Sequence, residues 1–131
     1  MSSGISIEAK GGFSKTYKAL HKLSLFSTYK LIGILEKYGE EGVRALQSTT
    51  PKDSGLTASS WSYDITVEKD LITISWNNSN IHNGIPIAVL IQYGHGTGTG
   101  GYVEGVDYIN PAMHPIFKNI ANSAWKEVSS L

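Results

Sequence analysis

Apolar and polar residues alternate most regularly between residues 61 and 76. Trp61, Tyr63, Ile65 and Val67 alternate with Ser62, Asp64, Thr66 and Glu68, and Ile72, Ile74 and Trp76 resume the pattern after Lys69-Asp70. A period of two belongs to strands with one buried face. The spacing therefore predicts a β-hairpin turning at Lys69-Asp70, although the Asn-Gly or Asp-Gly favoured in two-residue turns is missing there. Ile5, Ile7 and Ala9 alternate with Ser6, Glu8 and Lys10 and predict a short opening strand, ended by Gly11-Gly12.

Elsewhere the period is helical. Phe13, Tyr17 and Leu20 recur at i, i+4 and i+7, which predicts a first helix. A second, longer helix, capped by Ser24 or Ser27, carries the stripe Leu31, Ile32, Leu35, Tyr38, Val43 and Leu46. Gly39 and Gly42 interrupt that stripe, and each glycine costs about 1 kcal/mol relative to alanine inside a helix. A neighbour packed closely against them would offset the cost, so close contact is expected at both. The helix should stop near Ser48 or Thr49, because the residue before Pro51 is pushed out of the helical region. Asp53-Ser54-Gly55 then reads as a turn into the hairpin, with Gly55 at positive φ or too close to other backbone for a Cβ.

Asn77–Asn80 and Asn83-Gly84 read as a polar loop. Residues 85–93 fit a strand by alternation, and also a short helix with Pro86 in its first turn and Gly94 just past its end. Residues 94–101 hold five glycines and no apolar side chain, and read as a mobile loop. Tyr102-Val103 and Tyr108-Ile109 suggest an edge strand. Asn110 is expected to cap a final helix with Pro111 at its first position and Pro115 still within about the first turn. Its apolar positions are Ile116, Phe117, Ile120, Ala121, Ala124, Trp125 and Val128. No repeat or linker divides the chain. The expected fold is one α+β domain over residues 1–131, in which a small antiparallel sheet with a central hairpin packs against the long helix of the N-terminal half and the C-terminal helix.

A length of 131 residues suits one domain and one core. Charged residues make up 17%, below the roughly 25% typical of soluble domains. This fits surface buried against partners, whose interface cores are depleted in charge, and equally a surface rich in Ser, Thr, Asn and Gly. The net charge is zero but unevenly spread: residues 1–52 hold eight Lys/Arg and four Asp/Glu, and residues 53–131 hold three and seven. The balanced total speaks against a dedicated nucleic-acid binder. With no cysteine, neither a disulfide framework nor a thiolate zinc site is possible. The N-terminus lacks the apolar core of a signal peptide, and the longest apolar run, residues 85–91, is far short of the ~20 residues of a membrane span. A reducing cytosol, and assembly there into something larger, is the simplest expectation.

Candidate chemistry is sparse. Gly96-Thr97-Gly98-Thr99-Gly100-Gly101 has the spacing of a dinucleotide loop, but Tyr102-Val103-Glu104-Gly105 is a poor helix start and Ala121 stands where the acid is needed. A phosphate loop fails too, since Tyr102 replaces the lysine. His21, His82, His95 and His114 show no metal-ligand spacing, and no cofactor is implied. His95 in the glycine loop has the chemistry of a general base, and a small-ligand or enzymatic domain built on residues 94–101 is one alternative. No Gly-x-Ser-x-Gly elbow or Ser-x-x-Lys surrounds Ser54, Ser59 or Ser60. Trp61, Trp76 and Trp125 lack interleaved basic residues and are expected in the core rather than on a stacking platform.

Three short motifs, in order, carry the remaining signal: Thr50-Pro51-Lys52-Asp53-Ser54-Gly55-Leu56-Thr57-Ala58-Ser59, then Gln92-Tyr93-Gly94-His95-Gly96-Thr97, then Asn110-Pro111-Ala112. Their order and spacing resemble the tail-completion, or head–tail joining, family of long-tailed bacteriophages over roughly residues 5–125. The matching positions are Pro51, Asp53, Ser54, Gly55, Leu56 and Ser59, then Gln92, Tyr93, Gly94 and Thr97, then Pro111 and Ala112. The chain departs from the pattern where Gln92 replaces a common acid and where His95-Gly96 separates Gly94 from Thr97. The resemblance implies a short helix over residues 85–93 and a structural, non-enzymatic role in the virion neck, with assembly in the host cytoplasm. It further implies a homo-oligomeric ring, a hexamer in such families, between the head connector and the tail terminator or tube, through which genome DNA passes without sequence-specific contact. His95, Gly96, Gly98, Thr99, Gly100 and Gly101 would then form an interface loop, and no membrane is involved. A capsid-associated binding module is a further alternative.

Overall fold

The computed structural model describes residues 7–10, 15–20, 25–51, 55–69 and 71–129. The predicted hairpin is its framework. Strand β3 (Trp61–Glu68) pairs antiparallel with β4 (Leu71–Asn78), Glu68 opposite Leu71 and Trp61 opposite Asn78, so the connection is Lys69-Asp70 as expected. Lys69 takes a positive φ of 46°, which such tight turns demand.

On the far side β4 pairs with β2 (Lys15–Leu20), and β2 with β1 (Ile7–Lys10), giving a four-stranded antiparallel sheet in the order β1-β2-β4-β3. The opening strand is thus where alternation placed it. The first helix expected from Phe13, Tyr17 and Leu20 does not exist: Tyr17 and Leu20 lie in β2, and Phe13 is outside the described residues. Three apolar residues in eight satisfy a helical spacing by coincidence, whereas Tyr17 and Ala19 also satisfy period two and stand opposite Ile74 and Ile72.

Helix α1 (Leu25–Thr49) crosses this sheet and ends where Pro51 predicts. Ser27 lies inside it and is no cap, and Ser24 is outside the described residues. Leu31, Leu35 and Leu46 are buried, with Ile32, Tyr38 and Val43 packed against the same core. The expected approach at both glycines is present. A Cβ on Gly39 would stand 2.5 Å from the Tyr63 ring, and one on Gly42 would stand 2.5 Å from the Trp76 indole nitrogen. Trp76, fully buried on the central strand, donates from Nε1 to the Gly39 carbonyl at 2.9 Å.

Between α1 and β3 lies a one-turn helix, α2 (Gly55–Ser59), which the hairpin pattern does not announce. Gly55 opens it with no positive φ, and a Cβ added there would meet nothing within 4 Å, so the expectation of a strained glycine is overturned. Side-chain bonds tie the described residues on either side of the reversal. Thr50 Oγ1 donates to the Leu46 carbonyl at 2.6 Å and accepts from Trp61 Nε1 at 3.0 Å. Buried Thr57 receives Asn78 Nδ2 on its carbonyl and Asn80 Nδ2 on its hydroxyl. Asp53 and Ser54 lie outside the described residues.

After β4, the segment expected as a polar loop forms a small hairpin. Strands β5 (Ile81–His82) and β6 (Ile85–Pro86) pair across Asn83-Gly84, both at positive φ, the Asn-Gly signature of a tight turn. Helix α3 (Ile87–Tyr93) follows, as the resemblance implies, with Pro86 before it and Gly94 at its C-cap. Residues 94–101 are not an unstructured loop: β7 (Gly94–Gly96) pairs with β8 (Tyr102–Glu104), and the Thr97 amide donates to the Gly101 carbonyl across the tip.

Helix α4 (Ile109–Ser129) begins one residue before the expected cap. Tyr108-Ile109 is therefore a helix start rather than an edge strand, Asn110 and Pro111 sit inside the first turn, and Pro115 lies beyond it on an exposed position. The helix runs antiparallel to α1, with Lys30 Nζ 3.5 Å from Glu127 at one end and Tyr38 Oη 3.2 Å from Ser123 Oγ further along. Ile116, Ile120 and Ala124 enter the core, and Phe117 meets Trp76 with ring centroids 5.8 Å apart. Trp61 and Trp76 are buried as expected, but Trp125 is 65% exposed. It adjoins Ala124 on the helix and points away from the stripe that faces α1. No helix among the described residues is long and apolar enough to cross a membrane.

One substitution should have opposite signs at two places on α1. Gly33 has nothing within 4 Å of a Cβ, so Gly33→Ala should stabilise by up to about 1 kcal/mol through helix propensity. Gly42→Ala must displace a fully buried indole and should destabilise by about 1–3 kcal/mol, the usual cost of overpacking. Chemical denaturation of the two variants measures the contrast, and equal shifts would contradict the packing described.

Candidate assembly surface

The later two motifs meet around one buried amide. Gln92, 7% exposed at the end of α3, accepts on Oε1 from the backbone amides of Tyr108 at 3.1 Å and Ile109 at 2.9 Å. These are among the amides left without an intrahelical partner at the start of α4. Gln92 therefore caps α4 from another element, a role expected of Asn110. Its Nε2 donates to Asp107 Oδ1 at 2.7 Å, and Asp107 also accepts from Asn110 Nδ2 at 2.9 Å. A glutamine suits the position because it must accept on one atom and donate on the other.

Tyr108 completes the clamp. Its hydroxyl donates to the Ala88 carbonyl at 3.0 Å, and burial pushes its pKa up to about 12. The following backbone is held equally closely. The Val106 amide donates to the Ile91 carbonyl at 2.8 Å, and a Cβ on Gly105 would lie 2.6 Å from the Gln92 carbonyl oxygen. Gly94 has φ 80°, and a Cβ there would lie 2.5 Å from the Val103 carbonyl. Only glycine meets both demands at Gly94.

From this base the β7–β8 hairpin carries apolar side chains outward. Tyr102 is 67% exposed, its hydroxyl donating to the Tyr93 carbonyl at 3.1 Å, and Tyr93, Val103 and Val106 are exposed as well. Beneath the hairpin lies a groove of about 210 Å³ lined by Pro51, Leu90, Ile91, His95, Val103 and Val106 among others. It brings the first motif, through Pro51, against the second. His95 Nδ1 is buried there without a hydrogen-bond partner among the described residues. At the tip, Thr97 Oγ1 lies 3.0 Å from Thr99 Oγ1 and accepts from the Gly101 amide, while Gly98 and Gly100 take positive φ.

The remaining motif positions scatter. Leu56 is 68% exposed on α2, with its carbonyl accepting from the Ser59 and Ser60 hydroxyls. Pro111 is exposed, and Ala112 is buried in the core. The motifs leave out Asp107, Tyr108 and Gly105, which do most to place the hairpin. An aspartate three residues before Asn110, ahead of an apolar helical run, is the one sign of them in the sequence. Among the described residues no group of His, Asp and Glu is arranged to hold a metal ion. No protein-family model matches this chain, and no curated protein or solved structure does so either.

The clamp makes a charge-specific prediction. Gln92→Glu keeps the acceptor for the α4 amides but replaces the donor facing Asp107 with a second carboxylate oxygen. At neutral pH this should destabilise by about 1–3 kcal/mol, the cost of a buried polar contact turned repulsive. Acid should restore most of it. Two carboxyls in contact hold a shared proton more tightly folded than unfolded, so the variant's deficit shrinks as pH falls and grows as pH rises through their titration. Thermal melts of both proteins from pH 4 to 8 check this, and a deficit independent of pH would count against the contact.

Proposed function

We propose that this chain is a structural subunit of the neck of a long-tailed phage virion. Copies form a ring at the head-proximal end of the tail, completing it for joining to the head connector, with tail terminator or tube proteins on the other side. Genome DNA passes through the ring without sequence-specific contact. The observation that carries this reading is the β7–β8 hairpin, which is held rigidly at its base by Gln92 yet leaves Tyr93, Tyr102, Val103 and Val106 in solvent. An apolar group of this kind marks a surface that another molecule covers. The hairpin coincides with the second motif of the tail-completion resemblance, and Pro51 from the first motif lies in the groove below it. The low charge content agrees, since interface cores are poor in ions.

A competing reading makes His95 a catalytic or ligand-binding group, on the strength of its unpartnered Nδ1 beside the groove. Among the described residues no second titratable partner orients it by hydrogen bonding, and an activated base or nucleophile needs one. The ring reading expects ordered oligomers in size-exclusion chromatography with mass measurement, and a structure of the assembly in which residues 94–101 touch another chain. It also expects His95→Ala to leave virion assembly and infectivity nearly intact. Infectivity lost from normally folded, normally assembled particles would favour the competing reading.

A further inference from the structure

The four-stranded sheet ends in two open edges among the described residues, β1 and β3. Successive strands alternate in direction, so with four of them the two edges run opposite ways. A second copy brought up in the same orientation then meets β3 with an antiparallel β1. This is a heterologous contact, the kind that closes into a ring by rotation.

Three further features belong to this joint. First, the register runs continuously across the sheet: Ile7, Ala19, Ile72 and Val67 form one row, Ala9, Tyr17, Ile74 and Ile65 another, and Lys10, Thr16, Ser75 and Asp64 a third. Continued in register, the sheet sets Lys10 of one copy opposite Asp64 of the next, and Ile7 and Ala9 opposite Val67 and Ile65. Second, the core-facing residues of β3 are covered by α1 only at one end. Trp61 is buried, Tyr63 and Ile65 are half-buried, and Val67 is 48% exposed. Third, a groove of about 360 Å³, lined by Glu40, Val43, Arg44, Trp61, Ser62 and Tyr63, lies beside this edge between α1 and β3. An added strand supplies backbone hydrogen bonds to β3 and alternate side chains to such a groove.

We propose that copies of this chain join head to tail through their sheets, β1 of one copy adding to the open edge of β3 in the next. The charges on β3 select this arrangement. Pairing β3 with a second β3 brings Asp64 and Glu68 against their own kind, whereas β1 continued in register sets Lys10 opposite Asp64 and Glu8 opposite the neutral Thr66. Like charges across a strand pair disfavour it and opposite charges favour it. The inference rests on the ring reading above and says how the ring is closed.

The chain has no cysteine, so single-cysteine variants report contacts without background. Lys10→Cys and Glu8→Cys are each mixed with Asp64→Cys and mildly oxidised, and the mass of the unoxidised assemblies is measured in parallel. Residues opposite each other on adjacent strands have Cβ atoms about 4.5–5.5 Å apart, within reach of a disulfide after slight adjustment. Covalent dimers in the mixture of Asp64→Cys with a β1 variant, and not in either protein alone, are expected. The variant Lys10→Glu should weaken the assembly about tenfold, and adding Asp64→Lys should restore it. Asp64→Cys cross-linking with itself shows a two-fold β3–β3 contact and overturns the proposal. Rings without any β1–β3 cross-link overturn it while leaving the ring reading standing. Monomers at every concentration overturn both.

Discussion

The close approach of Trp76 to α1 governs the fold. An indole on the central strand can be fully buried only if the crossing helix has no side chain where it sits; Gly42 clears that space, and Gly39 does the same for the Tyr63 ring on the neighbouring strand. The burial leaves one polar atom, Nε1, to be satisfied away from water, and the Gly39 carbonyl accepts from it. Two helical glycines cost about 2 kcal/mol in propensity. The aromatic surface they admit is large, and burying it returns more than that. The spacing of sheet to helix then fixes where α4 can lie, since Phe117 must reach Trp76 over the flank of α1.

Stability in the core allows the opposite arrangement at the assembly surface. The β7–β8 hairpin is too short to hold itself together, as two-stranded hairpins in water generally are. It stays in place because its two ends are fixed: Gly94 follows α3, and Val106 to Tyr108 are bonded to Ile91 and Gln92. Gln92 contributes little apolar burial of its own. Its value lies in joining the end of one helix to the start of another, with donor and acceptor both used. The apolar side chains that remain outside can therefore stay in a defined geometry without being buried in the same chain.

These relations are unevenly legible in the sequence. Alternation finds β3 to the residue and β4 as far as Trp76, while Asn77 and Asn78 read as loop, and the glycines of α1 announce their contact, because both signals record burial on one face of one element. Strand β2 reads wrongly as a helix because it is a middle strand and one of its two partners, β4, lies more than fifty residues away, so the places of Tyr17 and Ala19 opposite Ile74 and Ile72 leave no local trace. Gly55 misleads for a different reason. A glycine beside Asp and Ser suggests a left-handed turn, but Gly55 starts α2, and the bonds of Thr50, Thr57 and Trp61 on either side of the reversal reach residues that no local pattern announces. Gln92 stands out through its motif, yet its capping of α4 joins residues sixteen and seventeen positions apart, which no local pattern encodes.

The sheet edges carry the same reasoning to the surface. A monomeric sheet protects an exposed edge by placing charge on it, and Asp64 and Glu68 on β3 fit that device as well as they fit a partner. What separates the two is the other edge. If both edges were merely guarded, like charges on both would serve best, since they would repel every pairing among copies. Lys10 instead shares a register row with Asp64 across four strands, so the continued register sets opposite charges together, whereas β3 against β3 sets acid against acid. Exposed ion pairs contribute only about 0–1 kcal/mol each, too little to hold an assembly but enough to choose between pairings that the backbone would otherwise accept equally. In the proposed assembly, affinity would reside in the apolar hairpin and the open strand, and the uneven charge of the chain would decide which copies they meet.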